Sequence, residues 1–215
     1  MPDLILALDV TEKKKALAIA EACAPHIDAI KVGYPLALAA GLSIAGDLKK
    51  TGLPLIADFK VADIPNTNQL ICDQVFLAGF SAIICQGFCG MDSVKACVAS
   101  ARTHHGECYV VAEMSHPGGK EFFSGGIAEQ IAANAVIAGA DGIIAPATRP
   151  DRVAVLRGFV GDKKILSPGV GTQGGSVDSI AELVDGIIVG RSIYDAPDPA
   201  AAAQSYAAAR RRQKR

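Results

Sequence analysis

Eight short apolar runs recur along this chain, each followed by an amphipathic segment, and that alternation limits the possible folds severely. The runs are Leu4 to Leu8, Ala29 to Val32, Leu55 to Lys60, Ser81 to Gln86, Glu107 to Glu113, Gly142 to Ala145, Lys164 to Ser167 and Gly186 to Val189. Helical spacing marks the segments near 12–23, from Pro35 onward, 64–78, 92–103, 126–138, 149–157, 175–184 and 199–211. Near-continuous apolar strands suit a parallel sheet buried on both faces. Eight such units in 215 residues predict one closed (β/α)8 TIM barrel, a single domain over residues 1–215, in place of an open doubly wound sheet. No linker or repeat divides the chain.

Charge and composition exclude several function classes. Net charge is −1, and Arg210, Arg211, Arg212, Lys214 and Arg215 crowd into a basic C-terminal tail. The rest of the chain is therefore acidic, which disfavours a nucleic-acid surface, and Trp is absent, which disfavours a stacking platform. The tail reads as a solvated helix end before it reads as a phosphate-binding arm. Cys23, Cys72, Cys85, Cys89, Cys97 and Cys108 form no C-x-x-C pair, so neither a zinc site nor a disulfide framework is expected. The N-terminus does not resemble a signal peptide, and no apolar stretch reaches the roughly 20 residues that span a bilayer. A reducing cytoplasm and no membrane follow as expectations.

Chemistry in such a barrel belongs at the C-terminal ends of the strands. Strand 1 runs out at Asp9, strand 2 at Lys31, and strand 3 at Asp58 and Lys60, which share one side of the strand and flank Phe59. Closure brings these ends together as alternating acids and ammoniums, which keep one another ionised. A held ammonium suits stabilising negative charge or delivering a proton to carbon. Asp63 follows; with Asp58 it can in principle bind Mg²⁺, but a charged Lys60 between them disfavours a cation, and no metal or cofactor is expected.

Strands 7 and 8 lead into Pro168-Gly169-Val170-Gly171-Thr172-Gln173-Gly174-Gly175 and Gly190-Arg191, the usual place for phosphate in a barrel. Glycines admit backbone N–H groups to the oxygens, and Arg191 offers a bidentate contact. The long connection after strand 5 carries Ser115, placed to read a base or carbonyl, and His116, which reads as a local structural residue. Arg149 faces either the phosphate or a turn.

The stretch Asp58-Phe59-Lys60-Val61-Ala62-Asp63-Ile64-Pro65-Asn66-Thr67 resembles the signature D-F-K-x-x-D-I-P-x-T of the orotidine 5′-monophosphate decarboxylase family, its archaeal branch above all. LILALD, KVGYPL, EMSHPG, ATRP, SPGVGTQGG and IIVGRSIY follow in family order across nearly the whole chain, with Ala147 where related sequences commonly have serine. The resemblance implies cofactor-free conversion of orotidine 5′-monophosphate to uridine 5′-monophosphate and CO2, the last step of de novo UMP biosynthesis. It implies Lys60 as the acid that protonates C6, Asp58 beside the departing carboxylate, and Lys31 and Asp9 in the charge lattice and on the ribose. It makes Ser115 the pyrimidine reader, Gln173, Gly190 and Arg191 the phosphate grip, and Pro168 to Gly175 the closing loop. It implies a homodimer in which Asp63 and Thr67 reach the neighbouring subunit's site, with Ile64 also substrate-binding. Sugar-phosphate decarboxylases and aldolases of the same superfamily share D-x-K-x-x-D but use Mg²⁺; Ile64-Pro65-x-Thr67 and Ser115-His116-Pro117-Gly118 argue against them. A non-catalytic nucleotide-binding barrel would not need Lys60 between two aspartates.

Overall fold

The computed structural model describes residues 1–212, with side chains through Arg210. Eight parallel strands close in sequence order: β1 Asp3–Ala7, β2 Ala29–Gly33, β3 Leu55–Val61, β4 Ala82–Gln86, β5 Glu107–Val111, β6 Gly142–Ile144, β7 Lys164–Pro168 and β8 Gly186–Val189. β1 pairs with both β2 and β8, which completes the (β/α)8 barrel.

Period-two alternation splits each strand between two cores. Outward residues such as Leu4, Leu6, Ile30, Val32, Leu55 and Ala57 pack under the helices. Inward residues Ile5, Ala7, Ala29, Ile56, Ala82, Ile84, Tyr109, Val111, Ile144, Leu166 and Ile188 fill the barrel itself. Both faces are apolar, so the strands read as unbroken hydrophobic runs.

The helical layer comprises α1 Lys13–Cys23, α2 Tyr34–Ala40, α3 Ile44–Leu48, α4 Pro65–Ala78, α5 Met91–Thr103, α6 Gly119–Phe123, α7 Ile127–Ile137, α8 Pro150–Val160, α9 Val177–Ile180, α10 Arg191–Tyr194 and α11 Pro199–Arg212. In α1 the buried Ala16, Ile19, Ala20 and Cys23 repeat at helical spacing. α4 opens on Pro65 and stops at Gly79, whose φ of 109° is open to glycine. The helix expected over 175–184 shrinks to the four residues of α9, because Gly171, Gly174 and Gly175 bond among themselves in a turn instead.

The expectation of a solvated C-terminal tail fails at Arg210. This residue is buried and donates through Nη1 to the Asp28 carboxylate and to the Pro2 carbonyl at 3.0 Å. The same Asp28 oxygen accepts the Leu4 N–H at 2.8 Å, so α11 locks the barrel's first strand at its base. The remaining basic side chains of the tail lie outside the described residues. Among the described residues no helix is long and apolar enough to cross a membrane.

Candidate active site

The barrel mouth holds a cavity of about 640 Å³. Asp9, Lys31, Asp58, Lys60, Ser115, Pro168, Gln173, Gly190 and Arg191 all line it, so residues from six strands and the loops that follow them converge there. Its floor is the top of the inner apolar core, Ala7, Ile84, Val111, Ile144 and Ile188.

Asp58 is the hub of the charged sector. Lys31 Nζ donates to its Oδ2 at 2.6 Å and Lys60 Nζ to its Oδ1 at 2.7 Å, so both carboxylate oxygens are engaged by cations. Lys31 is not at a strand end but in the middle of β2, level with Ala7 and Ile56; its buried side chain climbs the barrel wall to reach Asp58. Burial alone would depress the Lys31 ammonium, but the charges of Asp58 and Asp9 outweigh it and hold it above its ordinary value. Burial likewise pushes Asp58 up, and the two lysines more than offset it, leaving the carboxyl below its ordinary value. Asp9 lies two residues beyond the end of β1 and presses against Gly33, where an added Cβ would come within 2.4 Å of Asp9 Oδ1.

Lys60 is aimed by a distortion that the sequence does not announce. Between Ala57 and Val61 the β3–β4 register slips: Ala57 faces Ile83, while Val61 faces Cys85. Lys60 sits in this bulge with φ of 44°, in the left-handed region that costs a side-chain-bearing residue about 1–2 kcal/mol. Phe59 anchors the bulge from behind, stacked on Tyr34 at 5.1 Å and edge-on to Phe80 at 5.9 Å. Such strain persists only where the surroundings impose it.

On the opposite rim the loop after β7 is tied down by Thr172, whose N–H donates to Ser192 Oγ at 2.9 Å. Gly171 (φ 81°) passes so close that a Cβ there would meet Ser192 Oγ at 2.3 Å. Arg191 and Gln173 are exposed beside it, free of the Asp58 cluster.

Asp63, Ile64 and Thr67 do not line this mouth. Asp63 and Ile64 border a separate shallow pocket with Cys89, Asp92 and Ser93. Their loop is fixed from below: buried Asn68 accepts the Asp63 N–H at 2.9 Å and donates to Ser93 Oγ at 2.6 Å, and Ser93 Oγ donates to the Asp63 carbonyl at 2.9 Å.

Arg149 caps a turn, as one of its two readings had it: its N–H closes on the Pro146 carbonyl at 3.1 Å, and its own carbonyl accepts the Arg152 N–H at 3.0 Å at the start of α8. It donates to Glu113 Oε1 at 2.8 Å and to the Met114 carbonyl. Glu113, which closes the fifth apolar run, and Tyr194, in α10 after Gly190-Arg191, line the cavity unassigned by sequence; only their places in the segments that follow β5 and β8 could have marked them. Among the described residues no cluster of His, Cys, Asp or Glu is arranged to hold a metal ion.

The family described as "Orotidine 5'-phosphate decarboxylase / HUMPS" matches residues 2–206 of the chain. The orotidine 5′-phosphate decarboxylases of Methanosarcina acetivorans and Methanosarcina mazei are each 57% identical, over 95% and 93% of this chain and 92% and 91% of theirs. The crystal structure of the Methanocaldococcus jannaschii orotidine 5′-monophosphate decarboxylase, complexed with the inhibitor BMP, superposes with a TM-score of 0.93 at 41% identity, covering 97% of this chain and 98% of that one. The Pyrococcus horikoshii orotidine 5′-phosphate decarboxylase gives 0.88 at 42% identity, over 97% and 99%.

Proposed function

Because the chain belongs to the orotidine 5′-phosphate decarboxylase / HUMPS family, we propose that its barrel mouth converts orotidine 5′-monophosphate to uridine 5′-monophosphate and CO2 by direct protonation of carbon. It is a carboxy-lyase of pyrimidine nucleotide synthesis. The C6–carboxylate bond breaks, its electron pair stays on C6, and Lys60 delivers the proton that C6 takes; Lys60 then recovers a proton from solvent. The reaction as written needs no metal or cofactor.

The observation that carries this reading is Asp58 held between Lys31 at 2.6 Å and Lys60 at 2.7 Å, facing a cavity with Arg191 on its far rim. A carbon-centred anion is strongly basic, and a cation fixed in advance stabilises it without reorganisation. Asp58 sits where a substrate carboxylate would be repelled. Asp9 and Lys31 hold the ribose, Ser115 reads the pyrimidine, and Gln173, Gly190 and Arg191 grip the phosphate. Remote binding energy at the phosphate draws the loop from Pro168 onward over the substrate.

Asp63, Ile64 and Thr67 complete the site of a second copy in a homodimer. Their position outside their own mouth supports this, as does the exposure of apolar Ile64 (65%) and Phe88 (60%) at neighbouring strand ends. A cytoplasmic setting agrees with six free cysteines.

The test is loss of the orotidylate ultraviolet absorbance in excess EDTA. Turnover should be retained with EDTA and abolished by Lys60→Ala, while that variant still binds uridine 5′-monophosphate. Dependence on added Mg²⁺ would favour the sugar-phosphate branch of the family, and substantial turnover by Lys60→Ala would remove Lys60 from its role.

A further inference from the structure

Behind the base-reading side of the mouth lies an ion network that the reaction does not use. Glu113, two residues past the end of β5, is 4% exposed and borders the cavity. One carboxylate oxygen accepts from Arg149 Nε at 2.8 Å and the other from Arg152 Nε at 2.9 Å. Arg152 also reaches Glu129 of α7 at 2.7 Å, so two acids and two guanidiniums balance. Withdrawing four charges from water, Glu113 almost wholly and the other three in part, is seldom a gain in stability over an apolar packing of equal volume. What the network does supply is fixed geometry. Arg149 also donates to the Met114 carbonyl, and the adjacent Thr148 donates through Oγ1 to the Ser115 carbonyl at 3.2 Å. Residues 113–115 are thus held successively from the β6–α8 connection.

The same corner touches the loop after β7. A Cβ added at Gly169 would meet Thr148 Cγ2 at 3.0 Å, Gln173 Oε1 at 3.4 Å and Ser115 Cβ at 3.6 Å. Any shift of Ser115 is therefore felt where the base and the closing loop meet.

We infer that Glu113 is a positioning residue for pyrimidine recognition, acting through Arg149 and Met114 to fix the strand end from which Ser115 faces the substrate. This rests on the reading of Ser115 given above. Glu113→Gln keeps the shape but turns an NH2 toward one guanidinium N–H, donor against donor, and the strand end must shift.

The experiment measures binding of uridine 5′-monophosphate and of ribose 5-phosphate by calorimetry, for the wild type, Ser115→Ala, Glu113→Gln and the double variant. Glu113→Gln and Ser115→Ala should each weaken the nucleotide roughly three- to tenfold, the worth of one neutral hydrogen bond, and leave ribose 5-phosphate essentially unchanged. The double variant should lose no more than Ser115→Ala alone, because one residue acts through the other. Full additivity, equal loss for both ligands, or no loss in Glu113→Gln while Ser115→Ala responds would overturn the inference. No effect of Ser115→Ala would instead remove the reading of Ser115, and the inference with it. Should Glu113→Gln not fold, Arg149→Lys keeps the charge beside Glu113 but cannot span both that carboxylate and the Met114 carbonyl. The same selective loss in that variant supports the inference and its absence refutes it.

Discussion

Replacing Lys60 by alanine and by glycine separates the chemistry of this side chain from the strain of its backbone. Its φ of 44° costs a residue with a Cβ about 1–2 kcal/mol, and glycine escapes that cost. Glycine also has more freedom to lose on folding, about 0.5–1 kcal/mol relative to alanine. The difference leaves Lys60→Gly more stable than Lys60→Ala by roughly 0.5–1 kcal/mol. Both variants lose the 2.7 Å contact with Asp58, but the lysine side chain is 37% exposed there, so screening limits that loss to at most about 1 kcal/mol. Asp58 keeps Lys31 at 2.6 Å in either case. Lys60→Gly should therefore match the wild type in stability, and Lys60→Ala should fall below it, while neither turns over orotidylate. Urea denaturation at pH 7 with equal m values measures this, and thermal midpoints should differ by about 1–4 °C for a domain of this size. If Lys60→Gly proves no more stable than Lys60→Ala, the surroundings do not impose the left-handed backbone and the argument from strain fails.

Asp58→Asn strands the buried Lys31 ammonium, at a cost of about 3–5 kcal/mol near neutral pH. The wild-type Lys31, titrating above its ordinary value, contributes stability that is lost as pH rises through its folded value, whereas the depressed Asp58 loses its contribution only as pH falls through its own. In Asp58→Asn burial is no longer outweighed by the Asp58 charge and pushes Lys31 down, so the variant's lysine sheds its proton as pH rises toward 10 while the wild-type lysine keeps it; the penalty should shrink between pH 7 and pH 10, and an equal penalty at both would count against the buried ammonium. Arg191→Ala should weaken uridine 5′-monophosphate by about ten- to hundredfold and uridine hardly at all, and equal losses by calorimetry would place the phosphate elsewhere. Hybrid dimers of Asp63→Asn and Lys60→Ala subunits should recover about half the wild-type turnover if Asp63 acts in the neighbouring site; verified hybrids with none would end that reading. Arg210→Ala should cost about 2 kcal/mol in urea unfolding, less than a fully buried pair because Asp28 is 40% exposed, with turnover of the folded enzyme unchanged.

The barrel was legible because its strands are short, apolar and regularly spaced, and the mouth was legible because charge interrupts three of them. Other features depend on partners distant in sequence. Arg210 meets Asp28 across 182 residues, which turns an apparently solvated tail into a buried clamp. Arg149 meets Glu113 across 36 residues, a tie that neither the phosphate reading nor the turn reading contained. Lys31 was placed at a strand end, yet what matters is the inward direction of its side chain and the reach of four methylenes from mid-strand. The bulge at Lys60 left no trace, since alternation predicts Asp58 and Lys60 on one side whether or not the ladder slips between them. The closing loop looked helical from 175 onward, but its glycines satisfy each other's backbone groups first.

Depth in the barrel explains why the charges can exist at all. Lys31 springs from the level of Ile56, inside the apolar layer, where an unpaired ammonium would be costly to keep charged. It reaches a carboxylate one inward position higher on the next strand, and that carboxylate is held in turn by Lys60. The neighbouring strands β4, β5, β6 and β8 bring Ile84, Val111, Ile144 and Ile188 to the same cavity. One wall is thus ionic and the other largely apolar, its Glu113 carboxylate paired with Arg149. A flat ring lying between them would have its reacting edge at the ammonium and its body against the apolar wall, while its phosphate extends to Arg191. In water the lysine would be solvated and free to turn. Here the hydrogen bond to Asp58 and the strained bulge fix its direction in advance, so in the proposed reaction little reorganisation would remain as the carbon becomes basic.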